Sequence, residues 1–448
     1  MRPYIFILLL IGSHFATAQS ARYDSLWANA AVEKRIADGI ETNRKGDFTL
    51  IITAKNGTPI RNATVEVRLV KHEFLFGSNL FMINGFKTEA QNRRYEDAFL
   101  SLFNHGSIPF YWKTLEPEPG NIRFAANSAP VYRRPPPDAV LDFCRTNGIY
   151  PKGHTMVWDN PQWAIPTWLP KNESVIQPLI DKRIGQIAER YSRTIPMWDV
   201  VNEIKNRHID VVMPRDFALN AFKRADAVFP KESILLLNET TSLWYDRKRE
   251  YSQYYQTIEN LLLKGARIDA IGLQCHFFHG DQEYQDVLAG KTMRPADLFE
   301  ILDTYAHFNK PLHLTELTIP TIPDSPEGRH MQATVARNLY RLWFSYPNMA
   351  SIVWWNIADG TAAPGEDKWR GGFLNEDLTP KPSYTVLNDL INKDWKTTLN
   401  TTLNDTNKLT FRGFYGDYKI TIKEGKTVTE RTVRLTKSGS KTVAVEIE

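Results

Sequence analysis

Trp198-Asp199-Val200-Val201-Asn202-Glu203 and Leu314-Thr315-Glu316-Leu317 decide how this chain reads. Each is a short apolar run that arrives at a glutamate, the pattern of a buried strand with a carboxylate at the rim of a packed core. In an α/β barrel the working side chains sit at the C-terminal ends of the strands. Two carboxylates on separate strand ends of one barrel are equipped to break a glycosidic bond, one as acid and one as nucleophile. Either run alone also fits an ordinary strand-end glutamate. Together, in the surroundings described next, they point to a carbohydrate hydrolase.

On both sides of these runs, short apolar segments alternate with longer helical patterns, as β/α units of a parallel sheet do. Eight strand candidates end near Gly77-Ser78-Asn79, Tyr111-Trp112, His154 to Trp158, Asn202-Glu203, Asn238-Glu239, Gln274 to His276, Glu316 and Trp354-Trp355. Helical spacing fills the gaps, for example at Ile176, Ile180, Ile184 and Ile187. Arg134-Pro135-Pro136-Pro137 reads as a loop before a helix. The expected fold class is α/β, a (β/α)8 TIM barrel over residues 76–395.

The flanks have a different period. After a helical segment within 19–41, Phe48, Leu50 and Ile52 alternate with polar residues, as do Val65, Val67 and Leu69, with Asn56-Gly57 in the turn between. That reads as a β-hairpin or part of a small sandwich. Tyr418, Ile420, Ile422, Val443 and Val445 give the far end the same texture. Neither segment alone has enough strands to bury a core. Residues 42–75 and 396–448 are therefore expected to pair into one small all-β accessory domain that braces the foot of the barrel.

Hydrophobic residues make up 42% and charged residues 24% of the 448, ordinary for a globular protein. A formal net charge of +4 with interspersed signs gives no footprint for nucleic acid or an anionic membrane. Arg2, the apolar stretch Tyr4 to Ile11 and Ala16-Thr17-Ala18 read as a signal peptide over residues 1–18, so a secreted or periplasmic protein is expected. No segment reaches the ~18 apolar residues that a membrane helix needs. Cys144 and Cys275 are too few for a disulfide framework and are expected to be buried thiols.

With these residues in order, the chain resembles glycoside hydrolase family 10, whose usual members are secreted endo-β-1,4-xylanases. The resemblance rests on Gly153-His154-Thr155-Met156-Val157-Trp158, Trp198 to Glu203, Ile271-Gly272-Leu273-Gln274-Cys275-His276, Leu314 to Leu317 and Pro380-Lys381-Pro382-Ser383-Tyr384. It implies hydrolysis with retained anomeric configuration, Glu203 as acid/base and Glu316 as nucleophile. It also implies that Asn202 meets the sugar 2-hydroxyl and that His276 bonds the nucleophile. Gln274, Asn238, His154 and Trp112 are implied to line the cleft, with Trp355 and Trp369 as its walls.

Departures bear on the substrate. Where the family has Glu-Asn-Glu-Met-Lys-Trp, this chain has Ser107-Ile108-Pro109-Phe110-Tyr111-Trp112, so partners for the sugar on the non-reducing side are lost, with Tyr111 in place of the lysine. Asp159 replaces a histidine after the third strand and is expected to meet a sugar hydroxyl or to cap a turn. Thr318 replaces an aspartate, so His276 lacks that charged neighbour. Linear xylan is the default substrate, with a decorated xylan or another β-linked glycan as the alternative. A barrel that binds glycan without cutting it, and a metal-dependent hydrolase using His154, Asp159, His276 and His279, are the rivals. A polysaccharide or oligosaccharide partner, no cofactor, no metal and a monomer are expected.

Overall fold

The computed structural model describes residues 22–208, 210–277 and 280–447; the signal-type segment and His279 lie outside the described residues. Two strands, β1 (Lys45–Ala54) and β2 (Thr64–His72), precede the barrel. The barrel strands are β3 (Leu75–Asn79), β4 (His105–Pro109), β5 (Tyr150–Val157), β6 (Met197–Asn202), β7 (Ile234–Glu239), β8 (Ala270–His276), β9 (Leu312–Thr318) and β10 (Met349–Trp354). They close in the order β10-β3-β4-β5-β6-β7-β8-β9, every neighbouring pair parallel. Strands β6, β8 and β9 are buried at every position. Helices cover their outer faces and packed side chains fill the inside, so these strands read as near-continuous apolar runs.

The expected strand ends shift slightly. β4 stops at Pro109, and Tyr111-Trp112 begins a short helix, Trp112–Leu115. Glu316 lies inside β9, which runs on to Thr318. Register sets the site: Asn202 faces Asn238 across β6 and β7, while Gln274 faces Glu316 across β8 and β9.

The helix Ala30–Arg44 outruns its expected end at residue 41; Asn29 caps its start by accepting the N–H groups of Ala31 and Val32. Its last residue, Arg44, donates to the carbonyls of Phe344, Tyr346 and Met349 where β10 begins.

Strands β11 (Thr398–Thr402), β12 (Lys408–Phe414), β13 (Gly416–Glu424), β14 (Thr427–Leu435) and β15 (Thr442–Ile447) follow the barrel. They form two sheets, β12-β1-β15 and β11-β2-β13-β14. β1 and β2 thus lie in different sheets, so the hairpin alternative gives way to a sandwich drawn from both flanks. The inner faces meet where Phe411 of β12 packs edge-on to Tyr418 of β13, centroids 5.7 Å apart. Phe344 stacks on Trp395 at 4.0 Å and approaches Phe414, joining this β layer to the N-terminal end of the barrel.

Gly153 on β5 shows how the barrel limits side-chain size. A Cβ there would come within 2.1 Å of the Trp198 ring of β6, which is fully buried. Gly153→Ala is expected to destabilise the fold by about 3 kcal/mol through overpacking, read as a lower urea midpoint with an unchanged slope.

Candidate active site

Glu203 follows β6 in a left-handed conformation, φ 54°, uncommon for a residue with a side chain. Its N–H bonds the Asn238 carbonyl at 2.8 Å, which holds that turn against β7. Its carboxylate oxygen Oε1 accepts from Asn202 Nδ2 and from Gln274 Nε2, each at 3.2 Å. Glu316 Oε1 accepts from Asn238 Nδ2 at 2.9 Å, and Oε2 lies 3.2 Å from His276 Nε2. Asn238 Nδ2 also donates to Asn202 Oδ1 at 2.8 Å. Two asparagine amides therefore connect the carboxylates across one cleft.

The environments of the two carboxyls differ. Burial, and then the negative charge of Glu316, push the Glu203 carboxyl up to about 8. Buried Glu239, pushed up to about 7 by burial, lies near enough to raise Glu203 further. Glu316 instead receives donors on both oxygens. A raised carboxyl on Glu203, facing a second carboxyl held by two hydrogen-bond partners, is the difference of environment that acid–nucleophile chemistry requires.

A second set of contacts holds His154. Its Nδ1 pairs with Asp199 at 2.7 Å, and Asp199 also receives Lys152 Nζ at 2.8 Å inside the barrel. His154 Nε2 lies 3.0 Å from the Tyr111 hydroxyl and 4.0 Å from Glu316 Oε1. His276 Nδ1 lies 2.9 Å from the Thr318 hydroxyl, so the residue replacing the family aspartate still orients that ring.

Glu203, Glu316, Asn202, His276, Gln274, His154, Tyr111 and Trp355 line one cleft of about 310 Å³. Asn238 sits beneath it, fully buried, and acts through Asn202 and Glu316. Three further expected residues do not line it. Trp112 points into the core, its indole donating to Glu116 at 2.7 Å and packing edge-on to Trp168. Asp159, 1% exposed, is drawn away by an ion pair with Arg207 at 2.7 Å. Trp369 is buried in the loop after β10, where its carbonyl accepts the Thr321 N–H. Trp163 lines the cleft, whereas Trp354 is core.

Arg133, Arg134 and Glu366 line the cleft unannounced by the sequence. The arginines precede a proline run that signals only a loop, and Glu366 lies in the long loop after β10. Among the described residues no group of three or more His, Cys, Asp or Glu could hold a metal, and no helix is long and apolar enough to cross a membrane.

Comparison with known proteins adds an independent finding. Residues 109–390 match the family model described as Glycosyl hydrolase family 10. An endo-1,4-beta-xylanase of Arabidopsis thaliana is 30% identical over 345 residues, covering 73% of this chain and 53% of the relative. An anti-sigma-I factor of Acetivibrio thermocellus is 26% identical over 403 residues, covering 88% of this chain and 46% of the relative. The chain thus spans about half the length of these curated relatives. Among solved structures, native xylanase 10B of Thermotoga maritima superposes with a TM-score of 0.57 at 20% identity, covering 72% of this chain and 96% of that one. The corresponding enzyme of Thermotoga petrophila, in complex with xylobiose, gives 0.57 at 19%, covering 72% and 95%.

The raised Glu203 carboxyl has a consequence for stability. Its folded pKa lies above the ordinary 4.5, so its contribution is present in acid and is lost as pH rises from about 4.5 through about 8. Glu203→Gln is expected to remove that loss. Thermal midpoints measured from pH 4.5 to 8.5 should show the variant gaining on the parent as pH rises.

Proposed function

Since the chain belongs to glycosyl hydrolase family 10, we propose that it is a retaining β-glycoside hydrolase that cleaves a xylan-type polysaccharide within its chain. The observation that carries this reading is the shared cleft in which burial and the facing Glu316 raise the Glu203 carboxyl, while Asn238 and His276 contact one Glu316 oxygen each. Glu316 attacks the anomeric carbon while Glu203 gives its proton to the departing glycosidic oxygen. The glycosyl-enzyme forms and the charge on Glu316 disappears. That removes part of what raised the Glu203 pKa, so Glu203 now takes a proton from water, which attacks the anomeric carbon and frees Glu316.

The surrounding residues have parts in the same scheme. Asn238 and His276 fix the rotamer of Glu316 through one oxygen each. Asn202, held by Asn238, is placed for the sugar 2-hydroxyl, a contact that strengthens as positive charge develops on the ring. Trp355, edge-on to His154 and His276 with centroids 5.4 and 6.1 Å away, offers an apolar wall to a sugar face. The Arabidopsis relative's name and the xylobiose complex of the Thermotoga petrophila enzyme favour xylan as the polymer. Ile108, Pro109 and Tyr111 alter the side that would grip the non-reducing sugars, which favours a substituted chain over the plain one. We also propose, on the Arg2 to Ala18 pattern, that the chain is exported.

Xylo-oligosaccharides and an aryl β-xylobioside test the scheme. Glu316→Gln is expected to lower kcat/KM by about 10,000-fold on both. Glu203→Gln should lose about 100- to 10,000-fold on the oligosaccharides but keep a fast first step on an aryl glycoside with an acidic leaving group. Proton NMR should show the β-anomer as first product, and activity should fall as pH rises through about 8. The α-anomer appearing first, or full activity of Glu316→Gln, overturns the scheme.

A further inference from the structure

Arg133 and Arg134 form a wall of the cleft that the hydrolytic scheme leaves unused. They are 5% and 9% exposed, burial rarely imposed on a guanidinium without a carboxylate beside it. Neither makes an ion pair among the described residues. Arg133 is anchored: its Nη1 donates to Asn356 Oδ1 at 2.8 Å and to the Thr361 carbonyl, while its buried Nε has no acceptor. The Arg134 guanidinium gives one hydrogen bond, from Nη1 to the Arg133 carbonyl at 2.8 Å, and its central carbon lies 3.8 Å from the centre of the Tyr111 ring. Burial lowers it only to about 10, so it remains charged near neutrality.

Glu366 is the carboxylate that could have neutralised this wall. It lines the same cleft, yet it makes no ion pair with either arginine and one of its oxygens is buried without a partner. Its carboxyl is raised by burial, while His276 and Arg133 work to lower it. The two guanidinium groups outnumber it in any protonation state. Such a wall is costly to bury empty and favourable to bury against an anion, because a planar fork matches two oxygens of one acidic group. Its position is also informative. Arg134 rests on Tyr111, Tyr111 bonds His154, and His154 lies 4.0 Å from Glu316, so the wall borders the sugar-binding side next to the nucleophile.

We propose that Arg133 and Arg134 bind an anionic group, carboxylate or sulfate ester, carried by the glycan on the Tyr111 side of Glu316. The preferred substrate is then an acidic β-linked glycan in place of neutral linear xylan. This rests on the hydrolase reading above and specifies its substrate class.

Binding to the uncleaving Glu316→Gln protein separates the two claims, since it needs no turnover. Three matched pairs are compared by calorimetry: a xylo-oligosaccharide with a glucuronate branch and its carboxyl-reduced twin, a β-linked oligouronide and its carboxyl-reduced twin, and a sulfated xylo-oligosaccharide and its unsulfated twin. At least one anionic ligand is expected to bind about 10- to 100-fold tighter than its neutral twin, with the advantage shrinking as salt rises. The carboxylated and sulfated arms identify which anion is read. Adding Arg134→Gln should collapse the anionic-to-neutral ratio, and Arg134→Lys should restore part of it. Anionic ligands binding no better than neutral twins overturns the proposal, even if the parent enzyme cleaves neutral xylan. Selective anion binding without cleavage of any ligand by the parent protein upholds the wall and overturns the hydrolase reading instead.

Discussion

The site depends on one side-chain amide. Asn238 uses Nδ2 on both Asn202 and Glu316, and its Oδ1 accepts the Thr315 hydroxyl at 2.5 Å, so the amide cannot turn over without breaking all three bonds. Strand register brings it to Asn202, and the absence of a side chain at Gly272 makes room for it: a Cβ there would lie 2.5 Å from Asn238 Oδ1. β6, β7 and β8 each supply one element of this arrangement, Asn202, Asn238 and Gly272, and β9 supplies Thr315 and Glu316. The barrel thereby fixes the relative positions of two acids that belong to strands three places apart.

Beneath the cleft lies an ion pair of the opposite kind. Lys152 and Asp199 are buried within the barrel, where an isolated charge would be very costly. Asp199 spends its negative charge on Lys152 and His154 together, which holds its carboxyl below the usual carboxylate range although burial works the other way. Through His154 and Tyr111 this buried pair reaches Arg134 at the rim. The tyrosine that departs from the family pattern is thus bonded on one side to the deep network and covered on the other by a surface-derived cation.

Much of this could be read from the chain. Parallel strands buried on both faces leave continuous apolar runs, so β6 and β9 and their glutamates stand out. Alternation marked β1 and β2 as strands, but a period of two says nothing about partners, and the pair separated into different sheets. Asp159 and Trp112 were assigned by motif position, and neighbours remote in sequence decided otherwise: Arg207 draws the first away and Trp168 packs against the second. Arg133 and Arg134 left no trace, because a basic pair before prolines looks like any solvated loop until Tyr111, Asn356 and Thr361 fold around it.

The two-sheet brace has a bearing on how the chain assembles. β1 sits between β12 and β15, its neighbours on either side being the later-made strands. As the chain emerges from the ribosome, both edges of β1 remain unpaired throughout synthesis of the barrel, a period in which open strand edges are vulnerable to self-association. Closure of the brace is consequently a late, long-range step, and slow maturation belongs to the accessory layer more than to the barrel it supports.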